Sequence, residues 1–179
     1  MKQKLIDKSI THDRLLELVH YDPLTGVFTA RVDLSKKRPA GTELGRLHYN
    51  GSGNVYFRIF LEGIDYWAHR LAWFYVTGEW AKVVDHRFGD GTDNRFENLR
   101  ACSQMQNTHN RPASKRSTSG VKGVCPMLSG SKPYWLANIM ANGERHQKQF
   151  PYTFAGFEAA KEWRREMAEK LHGDFARHS

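Results

Sequence analysis

Cysteine is scarce in this chain. The two present, Cys102 and Cys125, stand 23 residues apart and in no C-x-x-C spacing, which excludes a disulfide framework and a zinc site built on paired thiolates. Long apolar runs are missing as well. The densest, Leu71 to Val76, has six residues, against the roughly 20 that a membrane-crossing helix needs. Asp7 and Asp13 interrupt the N-terminal stretch before the apolar segment of a secretory leader can form. Acid is the third shortage: 19 Asp and Glu stand against 27 Lys and Arg, for a net charge of +8 over 179 residues. Such an excess favours a polyanionic partner. The expectation is a soluble cytoplasmic protein of one ordinary or two small domains, with no membrane partner.

The positive charge is unevenly placed. Residues 1–107 hold 15 basic and 13 acidic side chains, whereas the remaining 72 hold 12 and 6. Between them, Thr108 to Gly120 reads THNRPASKRSTSG, with Arg111, Lys115 and Arg116, no acid, and enough Pro, Ser, Thr and Gly to resist regular structure. This reads as a basic linker, 108–119, joining domains at 1–107 and 120–179; a merely solvated loop is the other reading of its composition.

In the first domain, His12 to His20 has the apolar spacing of a short helix, and Asp22 to Gly26 is a turn. Val27 to Arg31 can form a strand. Asn50 to Gly53 links Arg46–Tyr49 to the alternating run Val55–Leu61 as a hairpin, and Glu62-Gly63 turns again into Ile64–Trp67. Trp67, Leu71 and Phe74 then fall on one helical face that stops at Gly78.

The segment VVDHRFGDGTDNRFENLRACSQMQNTHN, residues 83–110, carries the chemistry. Val83-Val84 is a short strand delivering Asp85 and His86 at its end, Gly89 to Asn94 supplies turn residues for a long excursion, and Leu99 to Cys102 is a returning strand. Ser103-Gln104-Met105-Gln106 has the form of a capping box, so a helix begins there with Asn107 in its first turns. Neighbouring strand residues point to opposite sides, which lets Asp85 and His86 flank a phosphate, one holding a divalent cation and the other taking a proton from water. Asn107 offers a neutral amide oxygen as a second ligand. A shell of carboxylate, amide, water and phosphate oxygens suits Mg²⁺ or Mn²⁺ better than zinc. An unperturbed imidazole, with a pKa near ~6.5, is already suited to act as a base at neutral pH. Asn98 is placed to orient that imidazole through its other ring nitrogen. Asn94 reads first as a turn residue and second as a tie across the loop. On the preceding helix His69 reads as a buried imidazole, and Arg70 as a side chain able to reach a phosphate.

At these positions the sequence resembles the HNH nucleases, in the phage-type group whose last metal ligand is Asn. The resemblance runs through Val84-Asp85-His86, Gly89-Asp90, Asp93-Asn94-Arg95, Asn98-Leu99-Arg100 and Gln106-Asn107, preceded by Ala68-His69-Arg70-Leu71-Ala72-Trp73 and Gly78-Glu79-Trp80. It departs at Arg87, where an aliphatic residue is commoner, and at Ala81, where Pro usually follows the tryptophan. The resemblance implies a ββα-metal core at about 83–110 using one divalent ion, with Asp85 and Asn107 as ligands, His86 as general base and Asn98 holding that base. It further implies hydrolysis of double-stranded DNA to 5′-phosphate and 3′-hydroxyl ends, as in free-standing phage homing or nicking endonucleases acting inside an infected bacterium, with no small-molecule cofactor.

From Ser119 onward, Val121–Cys125, Tyr134–Ala141 and Glu144–Phe150 read as three strands, the last two joined by Asn142-Gly143, and a capped amphipathic helix runs from Thr153 towards Gly173. This part resembles the AP2/ERF DNA-binding domain through Gly120-Val121-Lys122-Gly123-Val124, Tyr134-Trp135-Leu136-Ala137, Phe150, Phe157-Glu158-Ala159-Ala160 and Leu171-His172-Gly173. The resemblance implies a three-stranded antiparallel sheet packed on one helix, with Lys122, Trp135, Arg145 and Lys148 as DNA contacts; Trp135 reads equally well as core between sheet and helix. The whole chain is expected to be α+β. The competing function is a non-catalytic, sequence-specific DNA-binding protein that keeps the nuclease fold as scaffold.

Overall fold

The structure, a computed structural model, describes residues 10–51, 53–109, 117–173 and 176. It is a mixed α/β chain whose described residues form four α-helices and several small antiparallel sheets. They pack as two units, Met1–Ser103 and Gln104–Ser179.

The first unit begins with α1 (His12–Leu18), capped by the Thr11 hydroxyl, which accepts the Arg14 N–H at 3.3 Å. The helix stops two residues short of the sequence expectation. Val19 turns extended, and β1 (Val19–Tyr21) pairs with β2 (Phe28–Ala30), which buries Val19, Tyr21 and Phe28 together. A β-branched and an aromatic residue next to a complementary strand gain more there than in another half-turn of helix. The Asp22 carboxylate closes the intervening turn, accepting from Leu24 N and Thr25 Oγ1. A short β3 (Glu43–Leu44) completes this sheet beside β2.

A second antiparallel sheet follows in the order β4 (Arg46–Tyr49), β5 (Val55–Leu61), β6 (Ile64–Trp67). Its Glu62-Gly63 turn has positive φ at both residues, 46° and 83°, as a two-residue hairpin requires. Trp67 ends β6 and immediately precedes α2 (Ala68–Thr77), rather than standing on the helix face. Then come β7 (Val83–His86) and β8 (Leu99–Cys102), paired antiparallel with Asp85 opposite Arg100 and His86 opposite Leu99. The core that joins these pieces includes Leu15, Tyr21, Ile59, Leu71, Val84 and Leu99, each almost wholly buried. Burying one such side chain contributes about 1.5–3 kcal/mol. Packing against α1, β5 and β6 therefore holds α2, which in turn packs on β7.

The second unit begins with α3 (Gln104–His109), directly after Ser103. Its sheet has the order β11 (Glu144–Pro151), β10 (Tyr134–Ala141), β9 (Val124–Met127), and α4 (Phe154–His172) packs on it, capped by Thr153. The first of these strands starts three residues later than expected. Ser119 Oγ bonds Val121 N and the Val124 carbonyl, and Asn138 N donates to Gly123 O, so residues 121–123 are spent on a turn before pairing begins. Val124, Ala137 and Ala160 form the buried centre, with Trp135, Phe150 and Phe157 around them.

Candidate active site

β7 carries Asp85 and His86 to its end, both buried at 8% and 5% exposure. Asp85 lies directly across the ladder from Arg100, which donates Nε (3.1 Å) and a terminal N–H (2.9 Å) to the same carboxylate oxygen, Oδ2. The pair is buried on both sides, with 9% and 8% side-chain exposure. It costs desolvation but holds the carboxylate in one orientation.

His86 faces a different set of groups. Its Nε2 lies 3.5 Å from Asn94 Oδ1, the long end of hydrogen-bond range. The His69 ring stands edge-on with centroids 4.8 Å apart, and Tyr56 lies at 6.0 Å. Burial pushes the His86 pKa below its ordinary value, while the Asn94 contact and the carboxylates Asp85, Asp90 and Asp93 oppose that shift. Burial, then repulsion from His86 and Arg70, pushes His69 down to about 3, and its Nδ1 is buried without a hydrogen-bond partner. Both imidazoles are thus neutral at physiological pH. Asn94 Nδ2 donates to Thr92 O at 3.3 Å, which orients the amide so that its oxygen meets the ring. An oxygen only accepts, so this contact favours the proton on His86 Nε2 and leaves Nδ1 as the basic nitrogen.

The excursion between the strands is fastened at many points. Asp90 Oδ1 accepts from Thr92 N and Oγ1, and Asp93 accepts from Arg95, which holds both carboxyls below their ordinary range. Tyr21 Oη donates to the Asn94 carbonyl at 2.7 Å, and Phe96 N donates to Pro23 O. Two glycines permit close approach. A Cβ on Gly26 would lie 2.6 Å from the Asn94 carbonyl carbon, and one on Gly91 would lie 2.3 Å from Val55 O.

The expected partner of the imidazole is corrected here. Asn98 is fully buried, but its Oδ1 accepts from Phe88 N (3.0 Å) and its Nδ2 donates to Asp93 O (2.9 Å). Both ends of the amide stitch the excursion to the start of β8, and the amide that meets His86 is Asn94. Arg70 is also spent internally, donating to Ala81 O at 3.1 Å with its guanidinium 5.9 Å from the Trp80 ring centroid. In the second unit Trp135 packs on Phe157 and Tyr152 and donates Nε1–H to Thr153 O, so it belongs to the sheet–helix packing. Lys148 lies opposite Ala137, hence on the face that α4 covers, while Arg145 lies opposite Met140 on the other face. Lys122 precedes β9 and lines a cleft with Lys161 and Arg164 of α4. Asn107 stands half-buried on α3. Arg111, Lys115 and Arg116 lie outside the described residues. Arg100 enters the sequence reading only as part of the Asn98-Leu99-Arg100 motif and without a role; its pairing with Asp85 comes from the register of β7 and β8.

Among the described residues no group of three or more His, Cys, Asp or Glu side chains could hold a metal. The Asp85 carboxylate is a hard oxygen donor, the kind a divalent cation takes in a shell completed by neutral oxygens.

Residues 66–109 match the family model described as HNH endonuclease. Protein 3.8 of Escherichia phage T7 is 28% identical over 94 residues, covering 52% of this chain and 73% of that protein. No solved structure matches. The chain thus carries a segment similar to HNH endonucleases, and no helix among the described residues is long and apolar enough to cross a membrane.

Proposed function

We propose that the protein is a DNA endonuclease that hydrolyses phosphodiester bonds with one divalent cation, Mg²⁺ or Mn²⁺, and His86 as general base. The observation that carries this reading is a buried neutral imidazole, met by the Asn94 oxygen, beside a carboxylate clamped by Arg100, all inside the segment similar to HNH endonucleases. Asp85 and Asn107 are the residues that would hold the cation, Asn107 on the strength of its sequence position. Once bound, the cation would stabilise the charge on the phosphate and on the leaving oxygen. His86 Nδ1 takes the proton of the attacking water, and Asn94 keeps the other ring nitrogen protonated. Asn98 keeps the loop closed so that Asn94 stays against the ring. One such site cuts one strand, so the expected product is a nick, as for a phage nicking or homing enzyme. The basic linker and the second unit, read as an AP2/ERF-like module with Arg145 on its open face and Lys122 beside it, supply further grip on duplex DNA.

The test is a supercoiled plasmid incubated with Mg²⁺ or Mn²⁺. Conversion to open circles, lowered roughly 100-fold or more in His86→Ala, is expected. An intact plasmid under conditions where the protein binds it would instead favour a DNA-binding protein without catalysis.

A further inference from the structure

The sheet β4-β5-β6 lies almost wholly outside the segment that matches HNH endonucleases, which starts at Tyr66. One of its faces builds the core through Ile59, Leu61 and Tyr66. Alternation and register put Arg46, His48, Tyr56, Arg58, Asp65 and Trp67 on the other face. Arg46 and Arg58 are directly opposed across the ladder, an arrangement that destabilises a sheet when the charges are alike. Asp65 offsets only part of this. Its Oδ2 pairs with Arg46 and lies 3.2 Å from Arg58 Nε, so two guanidinium groups share one carboxylate. Arg58 also lies over the Trp67 ring at 4.7 Å, while the Arg46 side chain is 61% exposed.

From this charged patch an aromatic path leads to the base. Trp67 is 5.2 Å from His48 and 5.5 Å from Tyr56, and Tyr56 is 5.9 Å from His69 and 6.0 Å from His86. Gly91 packs against the Val55 carbonyl and the Tyr56 ring, which ties the loop of the site to the same sheet.

We propose that this outer face is a DNA-binding surface, with Arg46 and Arg58 contacting backbone phosphates and the His48, Trp67 and Tyr56 rings lining the path of the strand to His86. The occupant follows from charge complementarity and from continuity with the site: an excess cation on an exposed rim, flat aromatic surfaces behind it, and the general base at the far end. The proposal rests on the nuclease reading above.

Its test is binding of a labelled duplex to the full chain in EDTA, by fluorescence anisotropy, between 50 and 200 mM salt. Loss of one phosphate contact lowers the salt exponent by ~0.9, so in Arg46→Gln the affinity lost over that fourfold salt range shrinks by about 3.5-fold. Arg46→Lys, which keeps the charge, restores the parent's slope. Asp65→Asn frees both guanidinium groups and tightens binding at 50 mM. Arg46→Gln binding with the parent's affinity and slope would overturn the proposal, as would that result accompanied by loss of a protein dimer, which would assign the face to a second copy. Metal-dependent nicking is scored separately. Absent nicking with the Arg46→Gln shift present defeats the nuclease reading and leaves the surface standing, and nicking without the shift does the reverse.

Discussion

Replacing Asn98 by Ala separates two roles that an asparagine near a catalytic histidine can play. Its side chain is fully buried and makes two bonds, accepting from Phe88 N near the start of the loop and donating to Asp93 O, the residue before Asn94. Truncation leaves one donor and one acceptor unpaired. Each costs about 1–3 kcal/mol when buried, and because both sites are only partly enclosed the low half of that range applies, for a total of roughly 2–4 kcal/mol. Urea unfolding followed by tryptophan fluorescence reads this in the first unit, which contains Trp67, Trp73 and Trp80. With a slope of about 1.5 kcal/mol/M, the midpoint falls by on the order of 2 M. Cleavage falls as well, because Asn94 loses its place against the ring. Asn94→Ala, which gives up two long contacts, 3.5 Å to His86 Nε2 and 3.3 Å to Thr92 O, lowers cleavage with a smaller loss of stability. If Asn98→Ala abolished cleavage while moving the midpoint by less than about 0.3 M, the loop-stitching role would be wrong and a direct contact with the imidazole would have to replace it.

Arg100→Met leaves the Asp85 carboxylate buried without its guanidinium partner, which should destabilise the first unit by about 3–5 kcal/mol. Millimolar Mg²⁺ should raise the melting temperature of that variant more than that of the parent, and equal shifts would count against Asp85 as a ligand. For His69 the folded pKa, about 3, lies below the ordinary 6.5, so between those values the unfolded chain binds more protons. Stability is therefore complete above pH 6.5 and falls on acidification, by about 2 kcal/mol at pH 5. His69→Gln should not show that part of the acid loss in parallel urea titrations at pH 7 and pH 5, and identical losses in both proteins would refute the assignment. In the second unit Arg164 is 7% exposed with Nε buried and unpartnered, so Arg164→Met should be neutral or stabilising by about 1–2 kcal/mol. A clear drop in its melting temperature would show that the guanidinium is satisfied after all.

Much of the frame was legible because it is written in local signals. Glu62-Gly63 and Asn142-Gly143 turn where a two-residue hairpin needs positive φ, Thr11 and Thr153 cap the helices that follow them, and Val83-Val84 brings Asp85 and His86 to a strand end. What escaped depends on how segments meet. Asn94 and Asn98 are four residues apart in one loop, and nothing in their spacing tells which amide reaches the imidazole; loop closure over the turn before β2, with Gly26 against Asn94, decides it. Alternation along β10 says that Trp135 and Asn138 face opposite ways but not which way α4 lies, so the choice between core and DNA contact for Trp135 was open until the helix was placed. The Asp85–Arg100 pair needs the register of two strands separated by the whole excursion.

These contacts also bear on how far residues 66–109 can work by themselves. Three of the fastenings that place Asn94 against His86 originate earlier in the chain: the Tyr21 hydroxyl on the Asn94 carbonyl, the Pro23 carbonyl on Phe96 N, and the close packing of Gly26. A fourth, Gly91 against Val55, comes from the second sheet. Bonds within the loop, around Asp90 and Asp93 and through the Asn98 amide, close it on itself and on the strand ends, and these four anchors add its attachment to the rest of the unit. A base must be held to within a fraction of an ångström of its productive position. On the nuclease reading proposed above, β1, the turn before β2 and β5 align the base mechanically, and a fragment beginning at Tyr66 is expected to retain the chemical groups while losing the rigidity that aligns them.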